Sequence, residues 1–195
     1  MKLVRCEMIN GARVYLTDQA FENNLHQQLK QICAEFSPEH PQWVQPEWTN
    51  GRPRWEFNFE QDQRHNIITA INQSELCNTL SQELGRNLHV GHINLWIDFA
   101  GFGDLAPHME RAPLPLSQIF LTDIQNDTAG TTIYQPNGDM LFTLCYRDNY
   151  GWFFDRGDMI MHGRHQDVPK DLPRFSILIW WGPPVTDTSP AHHDV

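Results

Sequence analysis

Two side chains two residues apart on an extended strand point to the same face, so His108 and Glu110 could grip one metal ion together. With a second histidine from another strand they would make a 2-His-1-carboxylate set, which leaves three positions on iron(II) open, enough for a bidentate 2-oxoacid and dioxygen. The His-x-acid spacing is weak alone. Ten histidines and 24 acids in 195 residues imply roughly one chance match. The chain has three: His108/Glu110, His165/Asp167 and His192/Asp194. Only the first lies in a strand-rich region with a further histidine suitably placed downstream, because His162, 54 residues on, closes the strand-like run DMIMH. His165 falls on the loop beyond it.

Twelve residues past His162, Arg174 opens the apolar run RFSILIWW in the chain's only Arg-x-Ser. Arg174 and Ser176 share a strand face. The planar guanidinium fork binds a carboxylate through two parallel hydrogen bonds, and the hydroxyl adds a third donor. An arginine so near a core strand is expensive without a counter-charge, which favours a bound anion; the ordinary alternative is an edge-strand arginine reaching out to water.

The elements that must position these residues follow from periodicity. Phe21, Leu25, Leu29, Ile32, Cys33 and Phe36 recur at helical spacing and predict an amphipathic helix over 17–36, capped by Thr17 or Asp18. A second helix is expected from Ser74 to Leu84, stopped by Gly85. Between them, prolines 39, 41, 46 and 53 and tryptophans 43, 48 and 55 mark a stiff apolar loop over 37–54, a candidate lid. Beyond residue 86 the period changes to two: Ile93, Leu95, Ile97 and Phe99, then LSQIFL, GTTIY, MLFTLCY, GWFF, DMIMH and RFSILIWW. This pattern predicts a mainly β chain, a double-sheet jelly roll backed by N-terminal helices. The expected layout is a single domain over 1–195, with a helical and loop part over about 1–86, a jelly-roll core over about 87–182 and a polar tail over 183–195.

Smaller features have structural readings. His89 and His92 flank Gly91, where the alternation slips by one residue as at a bulge. Gly130-Thr131 suits a close approach of strands, and Asn149-Tyr150-Gly151 a turn. Trp152, Trp180 and Trp181 read as packing residues.

Composition excludes several functions. A net charge of −10 would repel a phosphate backbone, so nucleic acid is not an expected partner. Cys6, Cys33, Cys77 and Cys145 are widely spaced, without a C-x-x-C pair, which suggests reduced thiols in a cytoplasm. No apolar run reaches membrane-spanning length and the N-terminus lacks a signal-peptide core, so a soluble protein is expected.

In order, HMER, GTTIY, NYGWFF, HGR and RFSILIWW resemble the iron(II)/2-oxoglutarate-dependent oxygenases over roughly residues 93–181, most closely the small bacterial and phage members related to prolyl 4-hydroxylases and amino-acid hydroxylases. The resemblance implies that His108, Glu110 and His162 bind iron(II) and that Arg174 and Ser176 bind the 5-carboxylate of 2-oxoglutarate. It implies a dioxygenase that hydroxylates a small molecule, amino acid or peptide while 2-oxoglutarate and dioxygen give succinate and carbon dioxide. Glu110 stands where Asp is commoner in the family, and its presence argues against halogenation. Phe120 replaces a tyrosine whose hydroxyl often touches 2-oxoglutarate, leaving Tyr134 or Thr143 as candidate substitutes. The alternative is a cupin-like metal-binding protein without 2-oxoglutarate turnover, against which Arg174-x-Ser176 speaks.

Overall fold

A computed structural model of the chain describes residues 1–102 and 106–182. In chain order it contains β1 (Lys2–Ile9), β2 (Ala12–Asp18), α1 (Asn23–Ala34), β3 (Trp43–Val44), β4 (Arg54–Phe57), α2 (Gln61–Gln73), α3 (Glu75–Leu84), β5 (Val90–Asp98), β6 (Leu116–Phe120), β7 (Thr132–Tyr134), β8 (Met140–Thr143), β9 (Tyr150–Phe154), β10 (His162–Gly163) and β11 (Arg174–Trp181). Eight strands form one antiparallel sheet in the order β1-β2-β9-β6-β11-β5-β4-β3, and three form a smaller one, β10-β7-β8. The two-sheet jelly roll expected from the period-two pattern is present.

That period sorts the apolar side chains into two layers. Ile93, Leu95, Ile97, Ile119, Ile177 and Ile179 face outward and pack against the helices through Leu29, Ile71, Leu76 and Leu80. Trp96, Phe120, Trp152, Phe154 and Leu178 face inward toward Ile133 and Ile160 of the smaller-sheet side. Because the two sides of the central strands are lined by different sets, a one-residue slip would exchange them, and the register is firmly specified. The predicted irregularity at Gly91 is real: the pairing shifts where Trp180 opposes His92 and Trp181 opposes Val90. Gly130 and Gly151 are both required by close approach. A Cβ on either would lie 1.9 Å from a carbonyl oxygen, that of Leu144 or Gln118.

The N-terminal third departs from expectation. Thr17 and Asp18 do not cap a helix; they end β2, paired with Gly151 and Tyr150 of β9, and α1 begins only at Asn23. Phe21 is buried all the same, held ahead of the helix by Asn149, which accepts from the Phe21 N–H (2.9 Å) and donates to its carbonyl (2.8 Å). Residues 1–86 are therefore not only helix and loop. A β1–β2 hairpin turns through Asn10-Gly11, both at positive φ (50° and 83°), the combination that a two-residue hairpin turn needs. The helix α2 leaves little periodic trace in the sequence, since only Ile67 and Ile71 of its 13 residues are buried and its apolar face is sparse. The expected helix α3 is present, with the Ser74 hydroxyl accepting from Cys77 N–H and Gly85 in the left-handed conformation at its end. The 37–54 stretch is more structured than a loop. Trp43 lies buried in β3, Phe36 packs between Trp43 and Trp55 (ring centroids 5.2 and 5.8 Å), and a short 3-10 turn over Glu47–Thr49 carries Trp48.

Candidate metal centre and carboxylate-binding cluster

His108 and His162 face each other across a single antiparallel rung, each N–H donating to the other's carbonyl (2.9 and 2.8 Å). Glu110 follows two residues later, and its N–H donates to the Gly157 carbonyl (3.1 Å). Gly157 allows this approach, because a Cβ there would lie 3.2 Å from both Cβ and Cγ of Glu110. One ligand atom from each of His108, Glu110 and His162 lies within 4.8 Å of the others, a spacing that could hold a metal ion. His162 Nε2 is 3.4 Å from the Glu110 carboxylate.

The tautomers suit ligation. Nδ1 of His108 lies 2.9 Å from the Ala106 carbonyl and Nδ1 of His162 lies 3.0 Å from that of Ile160, so each Nδ1 acts as donor and each Nε2 keeps its lone pair. Burial, reinforced by the neighbouring His162, pulls the His108 pKa below the ordinary imidazole value. A neutral, part-buried imidazole is the form that binds metal. Trp152 and Phe154 of β9 wall the far side, with rings 5.6 and 5.2 Å from that of His162.

On the facing sheet, Arg54 of β4 and Arg174 of β11 both lie opposite Asp98 of β5. Asp98 is fully buried and receives Arg54 (2.5 and 2.9 Å), Arg174 (3.3 Å) and Arg164 (3.4 Å), the last arriving from just beyond β10. Three guanidiniums share one carboxylate, so these four side chains carry two more positive charges than negative. Burial alone would push Asp98 up, but Arg54, then Arg174 and Arg164, hold its carboxyl below the usual range. Burial pulls the Arg174 guanidinium down to about 10, against the pull of Asp98 and with the push of Arg164 and Arg54. Arg174 remains charged at neutral pH.

Around Arg174, its second terminal nitrogen donates to Gln118 Oε1 (3.2 Å) and Thr131 Oγ1 (3.1 Å), and Gln118 in turn donates to Ser176 Oγ (3.0 Å). The arginine is thus not uncompensated, as its place in the sequence suggested: Asp98 is its counter-charge. Its Nε, however, is buried with no hydrogen-bond partner, and so is Nε1 of Trp152, the cross-strand neighbour of Gln118. Buried donors left unmade are costly, and a bound oxygen-rich ligand would satisfy them. The strip from Arg174 to His162 is continuous. Thr131 touches Arg174, and Ile133, two residues on and so about 7 Å along the chain, pairs with His162.

The structure brings together His108, Glu110 and His162, and separately Arg174 and Ser176, on the two facing sheets. His165 stays out of the cluster, exposed on the loop, and Asp167 accepts from the Gly101 N–H instead. The pair His192/Asp194 lies outside the described residues. Phe120 is buried under the Arg174 guanidinium (5.1 Å to the ring centroid) and edge-on to Tyr146. Of the two substitutes for its missing hydroxyl, Thr143 is bonded to Thr132 (2.8 Å) and Tyr134 is buried on β7; the hydroxyl on Arg174 is that of Thr131. Sequence reasoning missed Arg54, Asp98, Gln118 and Arg164. The signals available were an acid ending the otherwise apolar LWID and an arginine two residues beyond His162.

No protein-family model matches the chain, and no curated protein matches its sequence. Solved structures do. HygX from Streptomyces hygroscopicus, with nickel, 2-oxoglutarate and hygromycin B bound, superposes with a TM-score of 0.59 at 10% identity over 93% of this chain and 90% of that one. A prolyl-4-hydroxylase from Pseudomonas putida gives 0.61 at 11% over 87% and 92%. A prolyl hydroxylase from Trichoplax adhaerens, in complex with a hypoxia-inducible-factor peptide fragment, gives 0.60 at 10% over 86% and 82%. At such identities the likeness is one of architecture, and the chain has the jelly-roll fold of the 2-oxoglutarate- and iron(II)-dependent oxygenases.

Proposed function

We propose that the chain is a non-haem iron(II)- and 2-oxoglutarate-dependent dioxygenase, with iron held by His108, Glu110 and His162 and the 2-oxoglutarate 5-carboxylate received by Arg174 and Ser176. The observation that carries this reading is the convergence of two Nδ1-tethered histidines and Glu110 within 4.8 Å. Iron(II) bound there would supply the activation of dioxygen that couples oxidation of 2-oxoglutarate, to succinate and carbon dioxide, with hydroxylation of a substrate carbon. The protein's own part is to orient and to keep dry. Arg174 would offer its unpartnered Nε and its charge to the carboxylate, Gln118 and Thr131 would steady the guanidinium, and Trp152 would close the wall between the two ends. Among relatives of this fold, HygX is solved with hygromycin B and the Trichoplax enzyme with a peptide. A small molecule or peptide is accordingly the expected substrate here, and the net charge of −10 disfavours phosphorylated ones and nucleic acid. No described helix is long and apolar enough to cross a membrane, and the four free thiols, Cys33 and Cys77 buried, suit a cytoplasmic setting.

Purified chain supplied with iron(II), 2-oxoglutarate and dioxygen should release succinate slowly, and a substrate should accelerate the release by completing a closed pocket. Folded, iron-loaded protein that forms no succinate with any amino acid, peptide or small molecule offered would favour the cupin-like alternative.

Replacing Arg174 with Ala should raise the KM for 2-oxoglutarate about a hundredfold while iron stays bound, since a desolvated charge-assisted contact is worth a few kcal/mol. Ser176→Ala removes one neutral donor, worth about 1 kcal/mol, and should raise it about fivefold. Titration of iron and of 2-oxoglutarate separately checks both.

A further inference from the structure

The cross-strand row that contains Ser176 and Trp96 continues to Glu56 of β4 on the same inner face. Glu56 therefore lies two strand spacings, about 10 Å, from Ser176. Its carboxylate is held at both oxygens, Oε1 by Asn94 Nδ2 (2.7 Å) and Oε2 by Trp96 Nε1 (3.2 Å). Asn94 and Trp96 are themselves buried, so the carboxylate is fixed in place.

Both donors are neutral. They use two of roughly four lone-pair sites and do nothing to offset the charge. Among the described residues Glu56 makes no ion pair: the nearest arginine along its strand, Arg54, gives its hydrogen bonds to Asp98 and lays its guanidinium on the rings of Trp96 and Trp48 (4.3 and 5.4 Å). Trp48, half-buried on the 3-10 turn, packs edge-on against Trp96 (6.3 Å) and borders the same face. The result is an oriented, half-buried anion on the inner face, beside apolar rings. Two neutral donors make stronger bonds to a carboxylate than to an amide but bring no counter-charge to it, so its charge stays available to a cation.

We propose that Glu56, positioned by Asn94 and Trp96 and bordered by Trp48, is the substrate anchor of this site and binds the ammonium group of an amine-bearing small molecule. This deepens the oxygenase reading by naming a substrate class, but the binding step itself needs neither iron nor turnover.

The test uses the full chain without added metal, butylammonium as the probe and n-butanol as its neutral control, at constant ionic strength. The indole N–H resonance of Trp96, assigned by its loss in Trp96→Phe, reports directly on the Glu56 hydrogen bond. Butylammonium should shift it saturably and n-butanol should not. Glu56→Gln, which keeps the acceptor for Asn94, should weaken butylammonium by about threefold or more, the range of a single solvent-touched ion pair. Should Glu56→Gln fail to fold, Glu56→Asp keeps the charge one methylene back and should weaken the probe similarly. Equal shifts from butylammonium and butanol, or less than a threefold loss in the folded variant, overturn the anchor. In turnover, amines that stimulate succinate release should lose that stimulation when N-acetylated; equal stimulation by both forms overturns the anchor and leaves the oxygenase standing. A chain that binds butylammonium through Glu56 yet forms no succinate would instead retain the anchor and lose the oxygenase.

Discussion

His162→Ala is expected to abolish stoichiometric iron(II) binding, whereas His165→Ala should leave it intact. Among the described residues His162 is the histidine that clusters with both His108 and Glu110, and with its Nδ1 on the Ile160 carbonyl its Nε2 is left for the metal. Iron(II) stands near the weak end of the transition-metal affinity order, and a pair of ligands in a solvent-touched site holds it poorly. The loss should exceed the roughly 10–100-fold that removal of a mere outer partner of a ligand produces. His108→Ala and Glu110→Ala should behave alike. Metal content after gel filtration decides the matter; full occupancy in His162→Ala with loss in His165→Ala would move the distal ligand three residues along the loop.

The second large effect concerns stability. Asp98→Asn should destabilise the free protein by about 3–5 kcal/mol, because it removes the carboxylate that both Arg54 and Arg174 bond while leaving those guanidiniums buried. In a chain of this size each kcal/mol moves the melting temperature by about 2–4 °C. The pH dependence gives a second signature. The folded-state pKa of Asp98 lies below its unfolded value, so its stabilisation is fully present above about pH 4 and is lost as pH falls through the folded value. The gap between wild type and Asp98→Asn should therefore be constant near neutrality and close on acidification. Urea denaturation at several pH values measures it, and a gap that persists undiminished in acid would show that Asp98 is not the group responsible.

Much of this architecture was legible because burial writes itself into period. Ile93, Leu95 and Ile97 announced β5, and His108, Glu110 and His162 could be chosen over two competing pairs by their place in the order of strands. Arg174 and Ser176 were singled out by a unique spacing, and the structure sets both, on β11, beside Gln118. What stayed hidden lacked a periodic or spaced signal. The helix α2 buries too few apolar residues to mark a face, and the last two residues of β2, Thr17 and Asp18, fall within the expected helix because Phe21 fits both a helical stripe and the strap that Asn149 holds. The arginine cluster was invisible for a different reason: Arg54, Asp98 and Arg174 come from three separate strands joined by the pairing of β4, β5 and β11, and Arg164 reaches them from just beyond β10 on the facing sheet.

The rung between His108 and His162 has one more consequence. Among the described residues, 106–110 belong to no strand and join the smaller sheet through that one pair of backbone hydrogen bonds, helped by the contact of Glu110 with Gly157. A metal bound by the two histidines would act as a clip closing a chain loop of 54 residues, between positions 108 and 162. The entropy of closing such a loop grows only with the logarithm of its length, yet for a span this long it already amounts to several kcal/mol in the chain-entropy picture. The ion would then be a fastener of the fold as well as a reagent, and the stretch it fastens is the one that carries two of its three ligands.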